Sequence, residues 1–144
     1  MNGGKEVSIK LLQTWAGGEK VVIEKVASGL AVIIWDPLKK RCACTHFFAR
    51  DEKKIEEKLK ELISLLGVEN SQISRLRAKI AGGSDVAGLQ IGKKLTFILF
   101  DVIKKLGLPV GGYDIGGNIT RNIIFDPITG KCVVNYLIGS SKEI

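Results

Sequence analysis

The stretch that decides the fold is residues 28–48, which read SGLAVIIWDPLKKRCACTHFF. Residues 30–35 form an apolar run rich in β-branched side chains, and the run ends at Asp36-Pro37, a pair typical of turns. Residues 42–48 then alternate in a way that suits a second strand. The stretch therefore predicts a buried strand joined to its neighbour by a hairpin connection at residues 36–41.

The pattern on both sides of this hairpin predicts further strands and two helices. Apolar residues recur at helical spacing from Asp51, a candidate N-cap, to Gly67, a candidate C-cap. A second helical stripe runs over residues 94–106 and stops at Gly107. Further strands are predicted at residues 21–23, 76–80, 110–114, 122–125 and 133–138. Because strands and helices do not alternate regularly, the predicted class is α+β, with mixed β-sheets packed against two main helices.

Length and composition indicate a globular chain. A length of 144 residues fits a single domain covering 1–144, and 45% hydrophobic with 26% charged residues is too apolar for a disordered protein. The apolar runs are shorter than the roughly 20 residues that cross a bilayer, so no membrane insertion is expected. Three cysteines and no apolar segment at the N-terminus favour a reducing compartment, which predicts a cytoplasmic location.

The positive charge does not by itself indicate nucleic-acid binding. The chain has 22 basic and 15 acidic residues, a net charge of +7, but the basic residues occur in short scattered groups. In the first predicted helix, lysines and glutamates are interleaved, as on a solvated helix face. No DNA or RNA recognition motif is present, so nucleic acid is not a favoured partner.

Two cysteines and the one histidine of the chain form the most suggestive cluster. Cys42, Cys44 and His46 alternate, so on a strand they project from one face. The outer two would be roughly 13 Å apart, too far to share a zinc ion whose ligands lie ~2.0–2.3 Å away, so no metal site is predicted. Cys44 could instead be a nucleophile activated by His46, although buried cysteines more often only fill a core. The glycine pairs match no phosphate-binding template, and no cofactor is predicted.

The order of several short motifs resembles the chemoreceptor glutamine deamidase family, CheD. Each motif alone is weak, but together they follow the family's order over most of the chain. The matching residues are Ser28-Gly29-Leu30-Ala31-Val32, Asp36-Pro37, His46, Ala78-Lys79-Ile80-Ala81-Gly82-Gly83-Ser84, Ile91-Gly92, Asp114-Ile115-Gly116-Gly117-Asn118 and Arg121. The resemblance implies a CheD-like fold and a role in chemotaxis.

The same resemblance implies a mechanism and a set of site residues. In that family a cysteine attacks the side-chain amide of receptor glutamines, a histidine acts as base and a threonine orients it. The histidine falls on His46, but the cysteine falls on Gly29, the threonine near Ile23 and a family asparagine on Leu95. Losing the nucleophile of a covalent mechanism removes a factor on the order of 10⁶ in rate. The resemblance therefore indicates a pseudoenzyme, with His46 a vestigial base and Gly29 the vacated nucleophile position.

Three hypotheses follow for the function. The first is a non-catalytic relative of the deamidases that binds a protein: a CheC-like phosphatase, a response regulator or a chemoreceptor. The second is an amidohydrolase whose nucleophile has moved to Cys44 or, less favourably, to Ser28, which would face away from Gly29 on an extended backbone. The third is a module on the same fold that binds a small ligand or nucleic acid.

Overall fold

A computed structural model of the chain describes residues 5–49, 51–85, 88 and 90–144. These residues form ten strands, two α-helices and one 3-10 helix. The strands are β1 (Glu6–Ile9), β2 (Thr14–Gly17), β3 (Lys20–Val26), β4 (Leu30–Asp36), β5 (Arg41–Phe47), β6 (Arg77–Gly82), β7 (Val110–Ile115), β8 (Arg121–Asp126), β9 (Lys131–Tyr136) and β10 (Ser141–Glu143). The helices are α1 (Glu52–Leu65), the 3-10 helix (Asn70–Arg75) and α2 (Ile91–Leu106).

The strands build two five-stranded mixed sheets. The first sheet has the order β1-β3-β8-β9-β10, and the second has the order β2-β5-β4-β6-β7. In each sheet one pair is parallel, β1 with β3 and β6 with β7, and the other pairs are antiparallel. The predicted α+β class with mixed sheets is confirmed.

Strand β4 lies at the centre of the second sheet and is covered on both faces. Leu30, Val32 and Ile34 belong to the apolar core that contains the buried faces of α1 and α2. The alternate residues Ala31 and Ile33 belong to a second core, shared with the strands of the first sheet. This explains why residues 30–35 form a continuous apolar run, since a strand with two buried faces has no solvent-facing position to fill with polar side chains.

The two helices begin and end close to the predicted residues. The Asp51 side chain accepts a hydrogen bond from the backbone N–H of Lys53 at 2.9 Å, which confirms it as the N-cap of α1. The C-cap of α1 is Leu66, one residue before the predicted Gly67, and Gly67 follows it with a positive φ of 68°. Helix α2 begins at Ile91, three residues earlier than predicted, and ends at Leu106 with Gly107 as its C-cap, as predicted. Its first turn includes Gly92, where a Cβ would lie 2.5 Å from the Gly83 backbone, so close packing outweighs glycine's low helix propensity.

Neither helix in the described part of the chain is long and apolar enough to span a membrane.

The buried carboxylate of Asp36 joins the β4–β5 hairpin to the 3-10 helix that precedes β6. Asp36 is 0% exposed and accepts hydrogen bonds from Arg75 Nη2 at 2.8 Å and Nε at 3.2 Å, and from the backbone N–H groups of Leu38 and Lys39. Burial alone would raise the pKa of Asp36, but the Arg75 guanidinium and the backbone N–H groups outweigh it and hold the pKa below its ordinary value. Asp126 begins the analogous β8–β9 turn and caps only the N–H of Ile128, at 3.0 Å.

This contrast predicts different losses of stability for two matched substitutions. Asp36→Asn is expected to lower the free energy of unfolding by about 2 kcal/mol, because hydrogen bonds to charged groups are lost, whereas Asp126→Asn costs about 0.5 kcal/mol. The folded-state pKa of Asp36 is depressed, so its contribution is present above the pKa of an unfolded aspartate and is lost as the pH falls through the folded value. Urea unfolding from neutral to acid pH should therefore show the difference between wild type and Asp36→Asn shrinking on acidification. Equal losses for the two variants at neutral pH would contradict the role given to Arg75.

Candidate functional site

A cavity of about 490 Å³ opens where the ends of β1, β3 and β5 meet the connection before β4. Ligand sites typically have volumes of about 300–1,000 Å³, so this cavity is of the right size for a small molecule or a protruding side chain. The lining residues are Ile9, Lys10, Leu11, Glu24, Lys25, Ala27, Ser28, Gly29, His46 and Phe48. The cavity therefore contains both positions that the family resemblance assigns to a reacting centre, Gly29 and His46.

Gly29 and His46 are immediate neighbours in this cavity. A Cβ added at Gly29 would lie 3.3 Å from Nε2 of His46 and 3.1 Å from the carbonyl oxygen of Phe47. The pairing of the strands causes this proximity, because Ala31 lies opposite His46 and Leu30 opposite Phe47 at the start of the β4–β5 ladder. A side chain at position 29 would therefore be in contact with the imidazole, but the glycine leaves that space empty.

The His46 imidazole is buried and incompletely hydrogen-bonded. The residue is 4% exposed, and its Nδ1 has no hydrogen-bond partner among the residues that the structure describes. Burial lowers the pKa of His46, because desolvation disfavours the charged imidazolium. At neutral pH the ring is therefore neutral and offers one N–H donor and one nitrogen acceptor.

The turn after β1 forms one wall of the cavity and is fixed to β5 at His46. The backbone N–H of Leu12 donates to the carbonyl oxygen of His46. The turn is closed by the N–H of Gln13, which donates to the carbonyl of Lys10 at 3.0 Å, and by the N–H of Lys10, which donates to the Gln13 side chain at 2.8 Å. These bonds hold Lys10 at the rim of the cavity.

A β-bulge in β3 brings a second lysine to the same rim. The β3–β8 register breaks between Ile23 and Val26, and Lys25 takes a left-handed conformation with φ of 56°. Its backbone N–H donates to the side-chain oxygen of Asn122 at 2.8 Å, which holds this uncommon conformation in place. Bulges of this kind redirect side chains next to functional sites, and here the redirected side chain borders the cavity.

The cysteines lie outside the cavity. Cys42, Cys44 and Cys132 are free thiols, fully buried in the core between the two sheets. The hydrogen bond with Cys44 and burial both raise the pKa of Cys42, and burial raises the pKa of Cys132 to about 12. Cys44 is absent from the cavity lining, and no hydrogen bond joins it to His46 in the described part of the chain. The geometry thus brings His46 together with Gly29 and leaves Cys44 in the core.

Ser28 occupies a different position from the one expected on an extended backbone. The chain bends at residues 27–29, and Ser28 lines the cavity together with Gly29. Ile23 and Leu95, where the resemblance places the family's threonine and asparagine, are buried in the two apolar cores and do not line the cavity. Of these three positions, only Ser28 adds a polar side chain to the site.

Several of the remaining motif residues form a buried polar network that does not line the cavity. Arg121 is buried and donates to Asp114 at 2.9 Å, to the Ser84 hydroxyl at 2.9 Å and to the Gly116 carbonyl at 2.7 Å. The Tyr136 hydroxyl donates to the same Asp114 carboxylate at 2.7 Å. Burial would raise the pKa of Asp114, but these two donors hold it below its ordinary value. These hydrogen bonds connect β7, β8 and β9 to Ser84 in the segment after β6, so the network stabilises the packing of these elements.

The structure does not place the side chains of a typical metal site together. Among residues 5–49, 51–85, 88 and 90–144, no group of three or more histidine, cysteine, aspartate or glutamate side chains could hold a metal ion. The charged rim formed by Lys10, Glu24 and Lys25 was not identified from the sequence. The only local signal was a charged pair, Glu24-Lys25, interrupting an otherwise apolar strand.

A family model and several curated relatives match this chain and share one family description. A family model described as CheD chemotactic sensory transduction matches residues 53–136, which follow Gly29 and His46 in the chain. The probable chemoreceptor glutamine deamidase CheD of Vibrio vulnificus strain YJ016 is 30% identical over 140 residues, covering 81% of this chain and 64% of that protein. The chemoreceptor glutamine deamidase CheD of Thermotoga maritima is 28% identical over 133 residues, covering 85% of each. Among solved structures, the hypothetical protein YfiH of Bacillus licheniformis gives a TM-score of 0.46 at 13% identity, over 71% of this chain and 49% of that one.

The chain spans less than two thirds of the length of two of these relatives. The chain spans 64% and 62% of the lengths of the two Vibrio vulnificus proteins that it matches. By contrast, it spans 85% of the Thermotoga maritima protein.

The burial of His46 predicts a low titration midpoint that is simple to measure. His46 is the one histidine of the chain, so its imidazole resonances need no assignment. We expect these resonances to titrate with a midpoint below the ordinary histidine pKa. The free energy of unfolding should then fall as the pH drops below that ordinary value, because the unfolded chain binds more protons there than the folded chain. His46→Gln should remove this component of the pH dependence. A midpoint at or above the ordinary value would contradict a buried, neutral imidazole.

Proposed function

Because the chain belongs to the CheD family, we propose that it is a chemotaxis-related homologue of the receptor glutamine deamidases that binds a protein partner without deamidating it. The observation that carries this proposal is the empty space beside His46, where a Cβ on Gly29 would lie 3.3 Å from Nε2. His46 is then a vestigial base with no side chain from which to take a proton. Chemistry that needs a thiolate has no nucleophile at this position.

A relocated nucleophile is the weaker alternative. Cys44 is fully buried between the sheets, so its thiol has no path to a substrate in the cavity. Ser28 does line the cavity, but no hydrogen bond joins it to His46 in the described part of the chain, and a serine hydroxyl needs an adjacent base to become nucleophilic. Binding without hydrolysis is therefore the function that the geometry supports best.

The proposed partner is a chemoreceptor, the substrate named for the relatives in Vibrio vulnificus and Thermotoga maritima. Three large, partly exposed apolar side chains lie at or next to the cavity. Leu11 and Phe48 line it and are exposed by 52% and 36%, and Leu12, the residue after Leu11, is exposed by 68%. Adjacent exposed apolar residues are typical of a protein-binding surface, and a receptor helix could lay its apolar face against them. This proposal places the chain in the cytoplasm, with the cytoplasmic helices of the receptor.

The first test measures binding and deamidation together. A cytoplasmic chemoreceptor fragment from the same genome is expected to bind the wild-type chain, while no ammonia is released and the receptor mass stays unchanged. Leu12→Asp should weaken binding about tenfold, since the buried area of one leucine side chain is lost. Leu38→Asp is the matched control, because Leu38 is similarly exposed, at 72%, but lies in the turn at the opposite end of β4.

Three results would count against this proposal. Ammonia release from the receptor by wild-type protein would show that the chain is an enzyme. Equal binding of the receptor by Leu12→Asp and Leu38→Asp would show that the receptor does not bind the apolar surface beside the cavity. Binding to a CheC-like phosphatase or a response regulator, with none to the receptor, would replace the proposed partner.

A second test uses the vacated position. Gly29→Cys should give a thiol whose pKa is lower than that of an exposed cysteine, because the Sγ atom would lie next to the imidazole. The rate of alkylation by iodoacetamide as a function of pH measures this pKa, and the three buried native thiols should not react in the folded protein. The double variant Gly29→Cys, His46→Gln is the control and should show an unshifted thiol. If the single and double variants titrate alike, the two positions do not cooperate.

A further inference from the structure

The cavity beside Gly29 has the composition of a small-molecule site, and we propose that it binds a small organic carboxylate. Its base is the buried His46 side chain, its rim carries Lys10 and Lys25, and part of its wall is apolar. The inference goes beyond the protein-binding proposal, because it needs neither a receptor nor any particular protein partner.

His46 supplies a hydrogen-bond donor at the base of the cavity. No described residue accepts a hydrogen bond from Nδ1, so nothing keeps the ring proton on that atom. The neutral ring can then carry its proton on Nε2, the atom that faces the space at Gly29. A carboxylate oxygen placed in that space would accept a hydrogen bond from Nε2–H, with an ordinary N···O distance of roughly 2.7–3.2 Å. The absence of a side chain at Gly29 is what makes room for the oxygen.

The rim favours a negatively charged ligand. Two lysines, Lys10 and Lys25, line the cavity, and hydrogen bonds hold the backbone of each in place: Lys10 in the closed turn and Lys25 at the β-bulge. The opposing charge on the rim is the Glu24 carboxylate. With His46 neutral, the net charge of these four groups is about one positive unit at neutral pH. A ligand with one or two carboxylates matches this balance better than a cation.

The remaining wall favours an organic anion over inorganic phosphate. Ile9, Leu11, Ala27 and Phe48 contribute apolar surface, which suits a short hydrocarbon body between charged ends. A compact, fully hydrated phosphate would leave that surface uncovered and would bring its charge close to Glu24. The shape and charge of the cavity thus point to a short-chain carboxylate.

The test compares two molecules of the same shape and different charge. Succinate and succinamide are titrated into the full chain, and the resonances of His46 are followed, since the chain has no second histidine to obscure them. Succinate is expected to shift these resonances saturably and to raise the pKa of His46, because a nearby negative charge favours the imidazolium. Succinamide is expected to bind at least fivefold more weakly.

Substitutions at the rim should change the affinity for succinate in opposite directions. Lys25→Gln should weaken succinate binding about fivefold, and Glu24→Gln should strengthen it about threefold, because the two rim charges act on the ligand in opposite directions. Lys39→Gln is the matched control: Lys39 is an exposed lysine in the β4–β5 turn, at the far end of β4, and its loss should change nothing. Gly29→Ala should abolish binding while the protein stays folded, because its methyl group would take the place of the carboxylate oxygen.

The outcomes separate this inference from the proposed function. No saturable shift with succinate, equal affinity for succinamide, or tighter binding of inorganic phosphate would overturn the inference, whatever the receptor assay shows. Failure of receptor binding, with succinate still bound and the rim variants behaving as stated, would overturn the protein-binding proposal and leave the carboxylate site standing.

Discussion

The burial of β4 on both faces is the constraint from which the rest of the structure follows. Its side chains alternate between the core under the two helices and the core between the two sheets, so every interior position is apolar. Its backbone groups are satisfied by β5 on one side and β6 on the other. A strand enclosed in this way can meet polar chemistry only at its two ends, and those ends are where the chain places its unusual residues.

The two ends of β4 handle buried polar groups in opposite ways. At the C-terminal end, the Asp36 carboxylate is fully buried, but Arg75 and two backbone N–H groups satisfy it. At the N-terminal end, Nδ1 of His46 has no partner among the described residues, and Nε2 of the same ring faces the space at Gly29 in an open cavity. The first arrangement stabilises the hairpin. The second leaves polar capacity unused, which is typical of a site that meets a ligand.

The sequence predicts the parts of this structure that depend on local pattern. The buried run of β4, the hairpin turn at Asp36 and the cap of α1 at Asp51 each have a local signal, and each is found. Strands β1, β2 and β10 were not predicted, because they have three or four residues each and lie at sheet edges, where alternation is too short to detect. These elements gain their structure from pairing with longer strands.

In the candidate site too, some residues could be inferred from the sequence and others could not. The positions of Gly29 and His46 could be inferred from motif order, and the pairing of β4 with β5 brings them into contact. The lysines at the rim could not be inferred, since Lys10 depends on a turn fastened to His46 and Lys25 on a bulge held by Asn122, 97 positions away. Ser28 was expected to face away from the site on an extended backbone, but the bend at residues 27–29 places it in the lining. Long-range contacts of this kind leave no periodic trace in a sequence.

The physical cost of keeping His46 argues that the cavity has a use. A buried polar atom without a partner costs about 1–3 kcal/mol, and an apolar side chain of similar size would fill the same position without that cost. Gly29 has no side chain, so the space beside Nε2 of His46 is left open to the cavity. For stability alone, the better solution is a filled, apolar cavity. An open cavity with an imidazole at its base and lysines at its rim is instead suited to hold something that comes from outside the chain.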